Sequence, residues 1–260
     1  MADIHFLGTG GWVATPERDN ASVLLRAGGE LILVDCPGSV VAKLRRLGFD
    51  ARRVSTILIT HVHPDHIYGL PSLIHSLMLE TGEIRLLGSE ETVNFAGRLL
   101  DLFGLREKNV GTRVRLQPVR PGRVLRLGRA GSLGSLRVPH HRSSLAYHIY
   151  LEEARTEVLF SGDTPLHEPL FRRARGIDYL IHEASGPARY FDRYRKLYGI
   201  HTSAFDLGRA SQDAGVRCLI ACHFLAGVWT SPAEIRAEIR KSFTGRLIVP
   251  RDFQRIFLRA

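Results

Sequence analysis

At 260 residues, 44% of them hydrophobic and 24% charged, the chain suffices for one large α/β core and is short for two domains and a linker. A single domain over residues 1–260 is therefore expected. No apolar run approaches the roughly 20 residues a membrane-spanning helix needs, and no basic, apolar, small-residue signal leads the chain, so a cytoplasmic protein without a membrane partner is expected. The three cysteines, Cys36, Cys218 and Cys222, are odd in number and lack zinc-finger spacing, which excludes a disulfide framework. A net charge of +10 suits a polyanionic partner, although Lys43, Lys108, Lys196 and Lys241 are the only lysines among the 36 basic residues. So strong a preference for arginine equally fits a genome or growth-temperature bias.

Short β-type runs come first, at 4–7, 23–26, 31–34 and 56–59, broken by glycine turns and by one helical pattern at 40–47. Leu70, Leu73, Ile74, Leu77 and Met78 then recur at helical spacing. Between that helix and the strand at 56–59 lies a loop, the position at which a rigid strand can present chemistry. From 113 to 160 the sequence alternates strands (113–116, 124–127, 133–138, 146–150, 158–160) with turns and reads as a second sheet. Helical patterns return at 204–214 and 233–243, flanking strands at 218–221, 247–249 and 256–258. Two sheets inside two helical layers account for this order.

The loop reads His61-Val62-His63-Pro64-Asp65-His66: three imidazoles and a carboxylate, all donors suited to Zn²⁺ and related ions. In an extended segment His61 and His63 point the same way and can share one ion. Asp65 and His66 fall after the bend that Pro64 stiffens, and can serve a second ion about 3.5 to 4 Å away. Polar residues merely packing a loop would leave these imidazoles crowded without partners.

This run and its surroundings resemble the metallo-β-lactamase superfamily, and within it the ribonuclease Z branch that matures the 3′ ends of tRNA precursors. Besides the metal loop, Gly8-Thr9-Gly10, Leu33-Val34-Asp35-Cys36-Pro37-Gly38 and, in part, Pro16-Glu17-Arg18-Asp19-Asn20 match the family's motifs, so that the likeness spans nearly the whole chain. It implies a four-layer αββα fold with two mixed sheets packed face to face between helices, two divalent ions per chain (Zn²⁺ first, with Mn²⁺ or Fe²⁺ as alternatives), and a homodimer. The implied ligands are His61, His63 and His140 for one ion and Asp65, His66 and His223 for the other, with Asp163 bridging. His140 stands seven residues before Tyr147, the family spacing, and the adjacent His141 is the alternative. His5, His75, His148, His167 and His182 fall outside this set.

Two further elements, His182-Glu183-Ala184-Ser185 and His201-Thr202-Ser203, resemble motifs found in few branches. By resemblance, Glu183 orients His201, which protonates the leaving oxygen. A neighbouring carboxylate keeps an imidazole protonated near neutrality, as an acid catalyst requires. Asp65 would both ligate and take the proton of the attacking water. The implied activity is phosphodiester hydrolysis by a water that two ions activate, on RNA or a tRNA precursor. The alternative keeps the site and changes the substrate to a cyclic or other small phosphodiester, a lactone or an aryl sulfate. One departure bears on that choice: many bacterial ribonuclease Z enzymes carry a tRNA-clasping arm between the third histidine and the bridging aspartate, whereas here His140 to Asp163 spans 23 residues of strand-like sequence.

Overall fold

The computed structural model describes residues 2–225 and 230–259. The first half of the chain supplies β1 (Asp3–Gly8), β2 (Ser22–Ala27), β3 (Glu30–Val34), α1 (Val40–Arg46), β4 (Val54–Leu58), α2 (Pro64–Ile67), α3 (Leu70–Ser76), β5 (Gly82–Gly88), α4 (Glu90–Asp101) and β6 (Thr112–Pro118). The second half supplies β7 (Leu125–Leu127), β8 (Gly131–Arg137), β9 (Leu145–Leu151), β10 (Thr156–Phe160), α5 (Glu168–Arg173), β11 (Tyr179–Glu183), α6 (Ala188–Arg193), α7 (Ala204–Asp213), β12 (Cys218–Cys222), α8 (Pro232–Arg240), β13 (Arg246–Ile248) and β14 (Arg255–Phe257).

These strands form two seven-stranded sheets, in the orders β14-β1-β2-β3-β4-β5-β6 and β13-β12-β11-β10-β9-β8-β7. Each is mixed. In the first, β14 through β3 pair antiparallel and β3 through β6 parallel; in the second, β13 through β10 pair parallel and β10 through β7 antiparallel. Both sheets are covered on both faces, which explains near-continuous apolar strands such as Cys218–Cys222, all five residues of which are buried. Neighbouring residues in a strand serve different cores because side chains alternate across a sheet. Leu25, Ile181 and Ile220 point into the core between the sheets. Leu24 joins Leu70, Leu73 and Leu100 on the outer face of the first sheet, and Leu180 and Leu219 join Leu207 and Ile239 on that of the second. The layering is thus helices, sheet, sheet, helices: the αββα arrangement.

One strand differs from the sequence reading. Residues 112–118 belong to the first sheet, paired parallel to β5 from Gly82↔Thr112 to Gly88↔Pro118. Parallel neighbours need a crossover, and α4 is that connection. Its start is fixed by Ser89, whose side chain accepts from the Thr92 amide, with Glu90 and Glu91 in the first turn. The second sheet begins only at β7.

Several parallel strands run toward one edge of the sandwich, and there the two sheets are tied together. Tyr147 Oη donates to the Ile59 carbonyl at 2.6 Å, and the Leu145 amide donates to the Thr60 carbonyl at 2.9 Å. The carboxyl ends of β3, β4, β10, β11 and β12 lead directly into Asp35, Thr60-His61, Asp163, Glu183 and His223. Strand ends of this kind are where open α/β sheets place ligands.

Candidate metal centre

Two of these strand ends turn through left-handed backbone: Asp35 has φ 59° and His223 φ 57°, unusual for residues with a side chain and a form of strain concentrated at functional sites. The turn after β3 also clamps the histidine loop. The Cys36 amide donates to the His66 carbonyl and the Gly69 amide to the Cys36 carbonyl, at 2.8 and 2.9 Å. A Cβ at Gly69 would lie 1.9 Å from the Pro37 carbonyl oxygen, so that only glycine permits this approach.

The structure brings the sequence-predicted residues together in overlapping groups. Donor atoms of His61, His63 and His140 lie within 4.8 Å of one another, as do those of Asp65, His66 and His223, and those of His61, His66 and Asp163. Asp163 Oδ2 lies between the first two groups, 3.5 Å from His66 Nε2, 3.2 Å from His223 Nε2 and 3.9 Å from His140 Nε2. His140, rather than His141, enters the cluster. His140 Nε2 is 3.2 Å from His63 Nδ1, while His141 Nδ1 is engaged by the Ser143 hydroxyl at 2.7 Å.

His61, His66, Asp163 and His223 are buried and His63, Asp65 and His140 half-buried, and their environment divides them. His61 is pushed well down by burial and by the charge of His66, and His63 and His140 are lowered chiefly by burial, which leaves the neutral imidazole a metal requires. His66 and His223 are raised despite burial, because Asp163 adds its charge to both, and the Asp35 carboxylate stands beside His66 and that of Asp65 3.5 Å from His223. Burial opposes ionisation of Asp163, but His223 and His66 hold it well below the carboxylate range. His61 Nε2, His66 Nε2 and His223 Nε2 are buried without a hydrogen-bond partner. Leaving such nitrogens unpaired is costly, and divalent cations at their convergence would satisfy them. The donor set fits two such ions: imidazole and carboxylate only, with the nearby Cys222 thiol pushed up to about 12 by burial.

Beside these donors stand Glu183 and His201, both buried. His201 Nδ1 lies 2.9 and 3.1 Å from the two Glu183 oxygens. Glu183 also accepts the Thr164 amide at 2.7 Å and the Ser185 hydroxyl. Burial alone would lower His201, but the charge and hydrogen bond of Glu183 raise it to about 9. A donor atom of His201 also groups with His140 and Asp163. His182, the neighbour of Glu183, packs on Phe171 and bonds its own strand end; it is a core residue.

Sequence reasoning missed the groups that orient the candidate ligands. Asp35 Oδ2 holds His66 Nδ1 at 2.8 Å and its carboxylate also accepts the Thr60 amide at 2.7 Å. The Ile200 carbonyl accepts from His140 Nδ1 at 2.7 Å. Each directs the opposite nitrogen into the cluster. The apolar strand ending in Asp35 was a visible signal for the first; nothing in the sequence marks a backbone carbonyl sixty residues from its partner.

A family profile described as Anti-Pycsar protein Apyc1 matches residues 2–202. A ribonuclease Z of Pseudomonas putida is 28% identical over 98% of this chain and 97% of its own length. Among solved structures, the metallo-β-lactamase fold protein YhfI of Bacillus subtilis superposes with a TM-score of 0.81 at 18% identity, over 99% of this chain and all of that one. The short form of human tRNase Z superposes with a TM-score of 0.78 at 21% identity, covering 98% and 99% of the two chains. The fold is that of the metallo-β-lactamases.

Proposed function

From the premise that this chain belongs to the family of the Anti-Pycsar protein Apyc1, we propose a two-metal phosphodiesterase in which Glu183 and His201 deliver a proton to the leaving oxygen. The chain is a metal-dependent hydrolase, ribonuclease Z-like; the dinuclear zinc centre, the residue roles and the substrate are the proposal. His61, His63 and His140 would hold one ion, Asp65, His66 and His223 the other, and Asp163 would touch both. Zinc suits the all-imidazole and carboxylate set, and Mn²⁺ or Fe²⁺ would be accepted by the same donors. Bound there, the ions supply an activated water and neutralise charge on the non-bridging phosphate oxygens.

The chain's own residues do the rest. Asp65, half a turn into α2 with its Oδ2 3.3 Å from His66 Nε2 and 3.5 Å from His223 Nε2, is placed to accept the proton of the attacking water. Glu183 engages Nδ1 of His201, which leaves Nε2 to donate. That dyad carries the reading. A ribose alkoxide departs poorly at neutral pH and needs a proton, whereas a lactone's leaving group is tethered and an aryl sulfate's is already good. The interval between His140 and Asp163 is taken up by β9, the turn that follows it and β10. No arm projects from it, which favours a short RNA or a small cyclic diester over a folded tRNA.

The test compares leaving groups at matched metal content. His201→Ala should slow hydrolysis of a short RNA or a cyclic mononucleotide by about 10² to 10⁴-fold, the usual worth of a general acid, and leave bis-(p-nitrophenyl) phosphate nearly untouched. Equal losses on both would show that the dyad positions substrate instead of supplying a proton. Loss of metal in this variant would make His201 a ligand.

A further inference from the structure

His223 stands on a strained turn that the surrounding chain has to hold. Its backbone is left-handed, with φ 57°, a costly conformation for a residue with a side chain and one that persists only where its neighbours enforce it. Two contacts do so. The His223 amide donates to the Thr9 carbonyl at 2.9 Å, and the next residue, Phe224, is fully buried beneath the guanidinium of Arg18, which lies 4.6 Å from its ring centroid. Arg18 also holds Thr9: its Nη1 donates to the Thr9 hydroxyl at 2.6 Å and to the Pro250 carbonyl at 2.8 Å. One arginine, only 5% exposed, thus grips both residues that fix the His223 turn, Thr9 with its edge and Phe224 with its face. A planar guanidinium can do both at once, and a lysine ammonium cannot. Charged groups extend this hold. The Thr9 hydroxyl donates to Asp252 Oδ1 at 2.6 Å, Asp252 Oδ2 accepts the Asp19 amide at 2.7 Å, and the Asp19 carboxylate pairs with the buried Lys43 ammonium at 2.8 Å. Buried ion pairs are often neutral for net stability, because desolvation offsets their attraction; what this network does is join four segments of chain at the base of one turn.

We propose that Arg18 is a positioning residue for His223: through Thr9 and Phe224 it sets the direction from which the imidazole meets a metal ion, and Asp252, Asp19 and Lys43 keep it in place. The role rests on the reading of His223 as a ligand. Small displacements matter there, since His223 Nε2 lies 3.2 Å from Asp163 Oδ2 and 3.5 Å from Asp65 Oδ2, and a turn released from its left-handed backbone would swing the ring out of that convergence.

The experiment is a double-mutant cycle on zinc affinity, read by calorimetric titration of the chelator-stripped protein. Arg18→Lys keeps the charge and loses the fork and the face. It should weaken zinc binding about tenfold, the lower end of the range for a group that orients a ligating histidine, and by less than about twofold where His223 is already replaced by alanine, as two changes that act through one residue require. Thr9→Val, which removes the hydroxyl on which Arg18 and Asp252 meet, should repeat the pattern, and it reads the same role if Arg18→Lys fails to fold. Equal losses in both backgrounds, or no loss with His223 in place, overturn the positioning role. The wild-type stoichiometry reports separately on the two-metal proposal. One zinc per chain would overturn that proposal, while the cycle on that ion still decides the role of Arg18; no zinc at all would overturn both.

Discussion

The two halves of the candidate metal centre are supported on opposite electrostatic plans. His61 and His140 are held by neutral groups: His61 Nδ1 meets the Thr60 hydroxyl at 3.1 Å and His140 Nδ1 the Ile200 carbonyl at 2.7 Å. Asp65, His66 and His223 sit among carboxylates, with Asp35 behind His66 and Asp163 in front. A neutral support fixes a ring's direction. A charged one also adds electron density to the ligand and raises its basicity. The first group is therefore sensitive to the geometry of its loop, the second to single carboxyl groups that need not touch the metal at all.

The largest break in this contrast is expected at Asp163, whose carboxylate lies within 4 Å of His66 and His223 on one side and of His140 on the other. Asp163→Ala should cost at least one of two ions per chain by elemental analysis, and slow phosphodiester hydrolysis by about 10³-fold or more, the several kcal/mol a two-metal clamp contributes. Full retention of both ions would remove Asp163 from its bridging role.

A smaller, one-sided effect sharpens the comparison. Asp35→Asn keeps the shape of the support and removes its charge, so metal affinity should fall about 10 to 100-fold, the typical worth of a partner behind a ligating histidine. One of the two binding steps should weaken more than the other in a zinc titration, because Asp35 holds His66 directly and reaches His61 only through the Thr60 hydroxyl. Two steps weakened alike would mean that the groups act as a unit and that the division drawn here is wrong.

What the sequence disclosed follows the same line. The clustered donors have strong chemical identity: the run from His61 to His66 stood out by itself, Asp163 and His223 came from the family resemblance, and the order of two sheets inside two helical layers followed from strand and helix periodicity. Supports are defined by where the chain returns in space. Asp35 was visible as the end of an apolar strand but carried no stated role, and the Ile200 carbonyl has no sequence identity at all. The assignment of 113–116 to the second sheet failed for a related reason. β5 and α4 were passed over, although α4 is strongly amphipathic, and without them nothing indicated that strand's parallel partner. The choice between His140 and His141 likewise needed three dimensions, since adjacent histidines have equal chemistry and differ only in direction.

The smallest expected effect isolates what is special about the supported imidazole at the site. Asp3 and His5 make a second carboxylate–imidazole pair, 3.0 Å apart, at the far end of β1. There the carboxylate is clamped by arginines instead of facing ligands: Arg26 Nε and Arg255 Nε donate to it at 3.1 and 2.9 Å. Burial would raise Asp3, but these hydrogen bonds and the nearby charges hold it below its ordinary 3.8. His5 is lowered from 6.5, chiefly by burial, with Asp3 opposing. A carboxyl whose folded value is depressed stabilises the fold above its unfolded value, and that contribution disappears as pH falls through the folded one. Asp3→Asn should therefore destabilise the protein by about 2 kcal/mol near neutrality, the scale of a hydrogen bond to a charged group, with metal content unchanged. The gap should widen slightly below pH 6.5, where His5 without its carboxylate resists protonation further, and then close below pH 3.8 as the wild-type Asp3 takes up its own proton. Urea unfolding across that range reads the curve. A gap as large at about pH 3 as at neutrality would attribute the loss to packing, and a loss of metal would mean that the far end of β1 reaches the centre through the strand itself.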